Sequence, residues 1–173
     1  QYDVDCIVYA SGFEVGTPYT ARSGFDLVGR DGLRLSDAWA DGMRSLHGVH
    51  VHGFPNAFFV QPAQGANLIS NVPHNLTESG RTIATIVRHA LDQGHRRVEV
   101  TQAAQDAWVQ QLLSGPGRMI GGPDCTPGYY NNEGQAPTAA SRLAVGYPAG
   151  PSAYFQYLAG WRSSGRFEGL AFS

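Results

Sequence analysis

Asp3-Val4-Asp5-Cys6-Ile7-Val8-Tyr9-Ala10-Ser11-Gly12-Phe13-Glu14 is the stretch on which the fold turns. Asp5 to Ala10 is a continuous apolar run closed by a small-residue turn, the pattern of a strand buried on both faces. Cys6 lies inside it and is expected to be a small core residue. A strand that delivers its chain into a Ser-Gly turn is how a dinucleotide-binding sheet presents a ligand crevice. No G-x-G-x-x-G phosphate loop precedes or follows it in the 173 residues. The stretch is therefore expected to be the end of such a sheet, and the chain the tail of a larger nucleotide-binding enzyme. The missing initiator Met fits the same expectation.

Working outward, Arg30-Asp31-Gly32 predicts a hairpin turn, and Ser36 to Gly42, with Trp39, a short turn or helix. Val49 and Val51 alternate with His50 and His52, which predicts a strand with one polar face. Gly53-Phe54-Pro55-Asn56 predicts a tight turn, and Ala57 to Val60 a second short strand. Asn75 to Gln93 reads as the clearest helix, capped by Asn75 with Glu78 in capping-box position and Gly94 as its stop. Its expected buried face is Leu76, Ile83, Val87, Ala90 and Leu91. Val98 to Val100 predicts a strand. A helix from Thr101 to about Ser114 buries Ala104, Trp108 and Leu112. Gly115 to Pro151 is rich in Gly, Pro and Asn, and a loop of that length inside a domain is functional or disordered. Ser152 is expected to cap a last helix, with Tyr154, Tyr157, Leu158 and Trp161 on one face and Gly165 ending it. Phe167 to Phe172 adds a final strand.

Composition narrows the function classes. The chain is 42% apolar but only 15% charged, against about 25% in a self-sufficient domain, so part of its surface is expected to meet other protein. A net charge of -2 gives no footprint for nucleic acid or for an anionic membrane. No apolar run reaches the roughly 18 residues of a membrane span. Cys6 and Cys125 fit no metal or redox spacing and imply a reducing, cytoplasmic compartment.

The motifs that carry chemistry are few. P-loop, nucleophile-elbow, H-E-x-x-H and C-x-x-C patterns are absent from the sequence. Gly115-Pro116-Gly117-Arg118-Met119-Ile120 resembles a dinucleotide fingerprint but has Ile120 in place of the third Gly. His47, His50 and His52 form H-x-x-H-x-H. Two imidazoles on one strand face could share a metal, but no acidic or thiol partner is near in sequence, so a polar strand face with solvated or hydrogen-bonded histidines is the preferred reading and no metal is assigned. Gln61 to Leu68 follows a strand and precedes helical sequence, where backbone N–H groups can face an anion or a ligand carbonyl. Asp124 to Gly134 packs Tyr129, Tyr130, Asn131 and Asn132 between Gly and Pro, a composition suited to a loop that closes over a ligand and equally to a structural loop.

Four of these strings, in order, resemble the C-terminal portion of the Baeyer–Villiger-type (class B) flavin-dependent monooxygenases. D-C-I-V-Y-A-S-G-F-E is similar to the strand and turn linking the NADP domain back to the FAD domain, with Ser11 where Thr is usual. V-H-G-F-P-N-A-F-F-V is similar to the family's G-F-P-N strand. Q-P-A-Q-G-A-N-L-I-S-N-V stands where the family has a loop and helix start beside the flavin, with Gln61 in place of Gly. C-T-P-G-Y-Y-N-N-E-G followed by Y-F-Q-Y-L-A-G-W-R-S-S-G is similar to the tail of one subgroup.

The resemblance implies an α/β C-terminal fragment of a protein with two dinucleotide-binding domains, keeping a short sheet remnant, helices and a loop-rich tail. Residues 1–45 would end the NADP-type domain with a linker, 46–100 would return into the FAD-type domain, and 101–173 would form the helical C-terminal region. The implied activity is insertion of one oxygen atom from O2 into a ketone by an enzyme using FAD and NADPH. The implied cofactor-binding residues are Ser11, Gly12, Gln64, Gly65, Asn67, Leu68, Asn71 and Val72. Cys125, Thr126, Tyr129, Tyr130 and Asn131 would belong to a lid over NADP and substrate. No catalytic residue is assigned within this chain, which alone is expected to be inactive. Its expected partners are the ketone, O2 and the missing N-terminal FAD and NADP domains. A stand-alone, non-catalytic binding module and a flavin monooxygenase acting on nitrogen or sulfur remain open alternatives.

Overall fold

The hairpin Arg30-Asp31-Gly32 sets the pattern for much of this chain, in which turns rather than strands do the positioning. Asp31 and Gly32 have φ of 57° and 78°, the positive pair that a type I′ turn demands. The Leu33 N–H closes the turn on the Arg30 carbonyl at 3.1 Å, and Val28 bridges Arg34 in antiparallel fashion. The computed structural model describes residues 1–9, 19–61, 63–66, 70–115, 126 and 142–173, without the side chains of Ala21 and Arg22.

In chain order the described elements are α1 (Tyr19–Ser23), a 3-10 turn (Arg30–Gly32), α2 (Leu35–Ala38), α3 (Val72–Asp92), β1 (Val98–Val100), α4 (Gln102–Leu113), α5 (Pro151–Ser163) and β2 (Leu170–Phe172). β1 and β2 pair antiparallel, Val98 opposite Phe172 and Val100 opposite Leu170. Mixed helix with a small sheet is the architecture the sequence implied.

Around that ribbon sit three apolar clusters. Leu46, Ala66, Val100, Trp108, Leu112, Tyr154 and Leu158 build the first, where α4 and α5 meet. Ile86, Val98, Trp161 and Phe167 build the second between α3, β1 and the end of α5. Leu35, Val51 and Phe54 build the third under the N-terminal hairpin. The helix α4 follows expectation: the Thr101 hydroxyl accepts from the Ala104 N–H, and Trp108 and Leu112 are buried.

Several expectations are corrected. Asp5 to Tyr9, expected as a buried strand, is exposed throughout and has no sheet partner among the described residues, and Cys6 is exposed with it. A parallel-sheet strand is buried only by neighbours on both sides, and no described segment of this chain supplies them. The Val49–His52 strand is replaced by a tight turn. His47 and Gly48 take φ of 56° and 71°, and the Val49 N–H bonds the Leu46 carbonyl at 3.0 Å. Its histidines do not share a solvated face: His47 and His50 are 1% and 3% exposed, while His47 and His52 are hydrogen-bonded, to the Tyr157 hydroxyl and the Val100 carbonyl. Ala57 to Val60 forms no strand; Phe59 makes one bond, to the Val49 carbonyl at 2.8 Å.

The helix α3 begins at Val72, earlier than expected, because Asn71 and not Asn75 caps it. The Asn71 side chain accepts from the His74 N–H at 3.1 Å, and Pro73 sits in the first turn, where its missing N–H costs nothing. Its buried face is Asn75, Glu78, Ser79, Thr82, Ile86 and Ala90, while Val87 and Leu91 are exposed. The polar stripe turns inward because Glu78 finds Arg162 of α5, its nitrogen 2.8 Å from the carboxylate. Ser152 does not cap α5 either; Gly150, with φ 87°, precedes Pro151 at the first helical position.

The Gly53-Phe54-Pro55-Asn56 turn forms as expected, and its physical purpose is visible. Asn56 has φ 58° and lies along β1. Its N–H donates to the Val98 carbonyl at 2.9 Å, its Oδ1 accepts from the Val98 N–H at 2.9 Å, and its Nδ2 donates to the Arg96 carbonyl at 3.0 Å. Asn56→Ala removes two of these bonds and leaves a Cβ residue with no local polar compensation at positive φ. The expected cost is about 2–3 kcal/mol. Asn56→Gly, which keeps the backbone geometry, costs about half as much by the same reasoning. Urea unfolding of the two variants checks the order; equal midpoints would refute the role assigned to the turn.

Candidate functional site

The loop 61–66 is fixed from below by side-chain amides. Gln61 donates from Nε2 to the carbonyls of Gly48 (3.0 Å) and Ala63 (2.6 Å), and its Oε1 accepts from the Ala63 N–H (2.8 Å). Here an amide closes the turn with three bonds. It also anchors the loop to the His47–Gly48 turn.

Gln64 is the hub. It is fully buried and has φ 58°. Its Oε1 accepts from the Ser45 hydroxyl at 2.6 Å, and its Nε2 donates to the Met43 and Leu143 carbonyls. Its N–H bonds the Val145 carbonyl at 2.9 Å, and its own carbonyl accepts from the Trp108 indole N–H at 3.1 Å. Every polar group of Gln64 is thus engaged within the chain, as burial requires. Gly65 follows where no side chain fits: a Cβ there would lie 2.7 Å from the Tyr154 hydroxyl oxygen. The Gly65 carbonyl accepts from the Tyr147 N–H at 2.8 Å.

At the far end of the loop, α3 presents its N-terminus. Asn71 occupies the His74 N–H with its side chain and the Asn75 N–H with its carbonyl. Pro73 has no N–H. That leaves the Val72 N–H as the remaining donor of the first turn. A 21-residue helix places partial positive charge there.

Beside the loop lies an aromatic cage around His47. Trp108, Trp161 and Tyr157 meet its imidazole at centroid distances of 4.7, 5.0 and 5.3 Å. The Tyr157 hydroxyl is 3.0 Å from Nε2, and the Tyr154 hydroxyl donates to the His47 carbonyl at 2.9 Å. Burial pushes His47 down to about 3, with the nearby His50 adding to it, and burial alone pushes His50 down to about 4. Both imidazoles are neutral at physiological pH. No group of three or more His, Cys, Asp or Glu among the described residues is placed to hold a metal ion.

Comparison with known proteins shows what the chain is similar to. No family model matches the chain. Pentalenolactone D synthase of Streptomyces exfoliatus is 41% identical over 98% of this chain and 29% of its own length. Baeyer-Villiger monooxygenase 4 of Dietzia sp. is 37% identical over 99% of this chain and 28% of its own. This chain matches a C-terminal portion of the Baeyer–Villiger monooxygenases. The polycyclic ketone monooxygenase of the thermophilic fungus Thermothelomyces thermophila shares the fold with a TM-score of 0.78 at 33% identity, over 89% of this chain and 25% of that one. The chain therefore spans less than a third of the length of the relatives it matches.

Of the residues that the Baeyer–Villiger resemblance implied, the structure describes Gln64, Gly65, Asn71, Val72 and Thr126. The first two lie in the clamped loop, Asn71 and Val72 at the helix start, and Thr126 is exposed. Ser11, Gly12, Asn67, Leu68, Cys125, Tyr129, Tyr130 and Asn131 lie outside the described residues. Sequence reasoning missed Ser45, His47 and Tyr154 as supports of this region. The signal for His47 was the His-Gly pair between two apolar residues, a two-residue turn signature of the same kind as Asp31-Gly32.

Proposed function

We propose that this chain is the flavin-edge and lid portion of an FAD- and NADPH-dependent monooxygenase that inserts one oxygen atom of O2 into a small-molecule ketone. The match to Baeyer–Villiger relatives over nearly the whole chain supports the reaction class. The Val72 N–H at the start of α3 supports the placement of the flavin, because a helix N-terminus suits the electron-rich pyrimidine edge of a reduced isoalloxazine. FAD would supply the oxygen-activating chemistry when bound. This chain's own part is to bind and exclude water: Gly65, Asn67, Leu68, Asn71 and Val72 along the flavin edge, and Ser11 and Gly12 at the hinge between the NADP-type and FAD-type parts. Gln64 positions that edge by saturating its own polar groups and holding the loop rigid. Cys125, Thr126, Tyr129, Tyr130 and Asn131 form the lid over NADP and substrate. The division into 1–45, 46–100 and 101–173 stands as part of this reading, with the FAD and NADP phosphate loops supplied by preceding domains of a cytoplasmic enzyme.

The test is a chimera in which this chain replaces the matching region of the thermophilic polycyclic ketone monooxygenase. The expected result is ketone-dependent NADPH oxidation with ester or lactone product. Val72→Pro in that chimera keeps the helix, since Pro is tolerated at the first position and Asn71 is already extended. It removes one donor to a charged group, worth about 1.5–3 kcal/mol, and so weakens FAD retention roughly 10- to 100-fold. Unchanged FAD affinity in Val72→Pro would sink the flavin placement, and NADPH oxidation that ignores the ketone would sink the substrate class.

A further inference from the structure

We propose that Tyr157, hydrogen-bonded to His47, is a one-electron redox site that carries oxidising equivalents from the buried Trp108 cluster to solvent. The proposal goes beyond the monooxygenase reading and does not rest on it. Three rings form its path. Trp108, Tyr147 and Tyr157 lie within 5.6–5.9 Å of one another, centroid to centroid, at interplanar angles of 18–25°. Offset, near-parallel rings at this separation are in van der Waals contact, and electron transfer falls off exponentially with distance, so contact makes the three rings one conducting unit. Trp108 is 2% exposed, whereas Tyr157 is 37% exposed. One end of the unit is sealed and the other is open to a reductant in solution.

The hydrogen bond to His47 gives Tyr157 what an oxidisable phenol needs, an acceptor for its proton. Three aromatic rings meet the His47 imidazole at 76–85°, and its Nδ1 has no hydrogen-bond partner. Nε2 of His47 lies 3.0 Å from the Tyr157 hydroxyl, and in the tautomer that carries its proton on Nδ1 it is the acceptor for the phenol proton. Burial keeps the imidazole neutral, so its lone pair is available.

The step balances as follows. A one-electron oxidant of the oxygen-radical class takes an electron from the Trp108 indole, and Tyr157 refills it. As the electron leaves, the phenol O–H bond breaks and an N–H bond forms at Nε2 of His47. The product is a neutral tyrosyl radical beside an imidazolium. A low-molecular-weight thiol then returns one electron to the ring, His47 returns its proton, and the thiol leaves as a thiyl radical with its own proton released to solvent. The buried imidazolium is costly, which drives the proton back once the electron is restored.

The experiment uses the 173-residue chain with 3,5-difluorotyrosine placed at position 157, a substitution that preserves the fold. Flash photolysis of a ruthenium polypyridyl with persulfate supplies the oxidant, and the frozen radical is read by electron paramagnetic resonance. The expected spectrum carries the fluorine splitting in most of its tyrosyl signal, and Tyr157→Phe loses most of that signal while its circular dichroism is unchanged. A line shape indifferent to fluorine at 157 would place the radical on another tyrosine and overturn the proposal. So would an undiminished signal in Tyr157→Phe.

Discussion

Acidifying the protein from pH 7 to pH 4.5 is expected to remove roughly 5 kcal/mol of folding stability, through two histidines alone. His47 and His50 are held neutral by burial, with folded values pushed down to about 3 and about 4, while in the unfolded chain each titrates near 6.5. Both groups are neutral in both states above that point, and stability is full there. Below pH 6.5 the unfolded chain takes up two protons that the folded chain refuses. Stability therefore falls with pH, by about 1 kcal/mol per unit for each histidine, until the folded values are reached. Carboxylates contribute only further down, so the onset near pH 6.5 belongs to the imidazoles. Urea midpoints measured across this range check the slope, and His50→Gln is expected to lower it by about one proton's worth. A midpoint constant between pH 6.5 and 5 would mean that the two rings are solvated in the folded protein.

The second large effect is expected at the seam between α3 and α5. Glu78 and Arg162 are 7% and 10% exposed at their side chains, and Arg162 also donates from Nη1 to the Thr82 hydroxyl at 2.9 Å. Arg81 also contacts Glu78, but it is 61% exposed and bonds the other carboxylate oxygen. Arg162→Met leaves a buried carboxylate facing a hydrophobic side chain, at an expected cost of about 3–5 kcal/mol. The double variant Glu78→Met/Arg162→Met removes both charges, and is expected to recover most of that loss, because a buried pair exchanged for apolar groups is close to neutral. Chemical denaturation of the two single variants and the double variant forms the cycle. If the double variant is as unstable as the sum of the singles, the pair is not coupled and the seam is held by packing alone.

These two effects mark where the sequence was and was not legible. Several local signals were read correctly where the determinant lies within a few residues, while the caps of α3 and α5 and the His47–Gly48 turn were not. Asp31-Gly32 fixed a type I′ turn because only certain residues tolerate φ > 0 at both positions. Thr101 fixed the start of α4 because a hydroxyl there can take a first-turn N–H. Trp108, Leu112, Tyr154, Leu158 and Trp161 are buried as their spacing implied. Periodicity failed where a long-range partner decides orientation. The apolar stripe of α3, through Leu76, Val87 and Leu91, gave way to a polar one because Arg162, eighty-four residues from Glu78, offers a charge that only the folded chain brings near. The alternation Val49-His50-Val51-His52 suggested a polar face, but His50 and His47 turn inward, since the His47–Gly48 turn reverses the chain before a strand can form.

The same division holds for the opening stretch and the candidate site. By itself the sequence carried the resemblance to the Baeyer–Villiger monooxygenases, because four motifs in order, each specified by local chemistry, need no coordinates to be recognised. It also fixed the three long helices, the Asp31-Gly32 turn and part of the core, whose causes are short-range propensity and burial. Only the tertiary structure decided what Gln61 and Gln64 do, since their acceptors at Gly48, Met43 and Leu143 are remote in sequence and an amide's partners are not encoded in its spacing. It also decided that Asp5 to Tyr9, apolar enough for a core strand, lies exposed among the described residues. Hydrophobicity states a demand for burial, and whether that demand is met depends on which surfaces the rest of the protein brings to it.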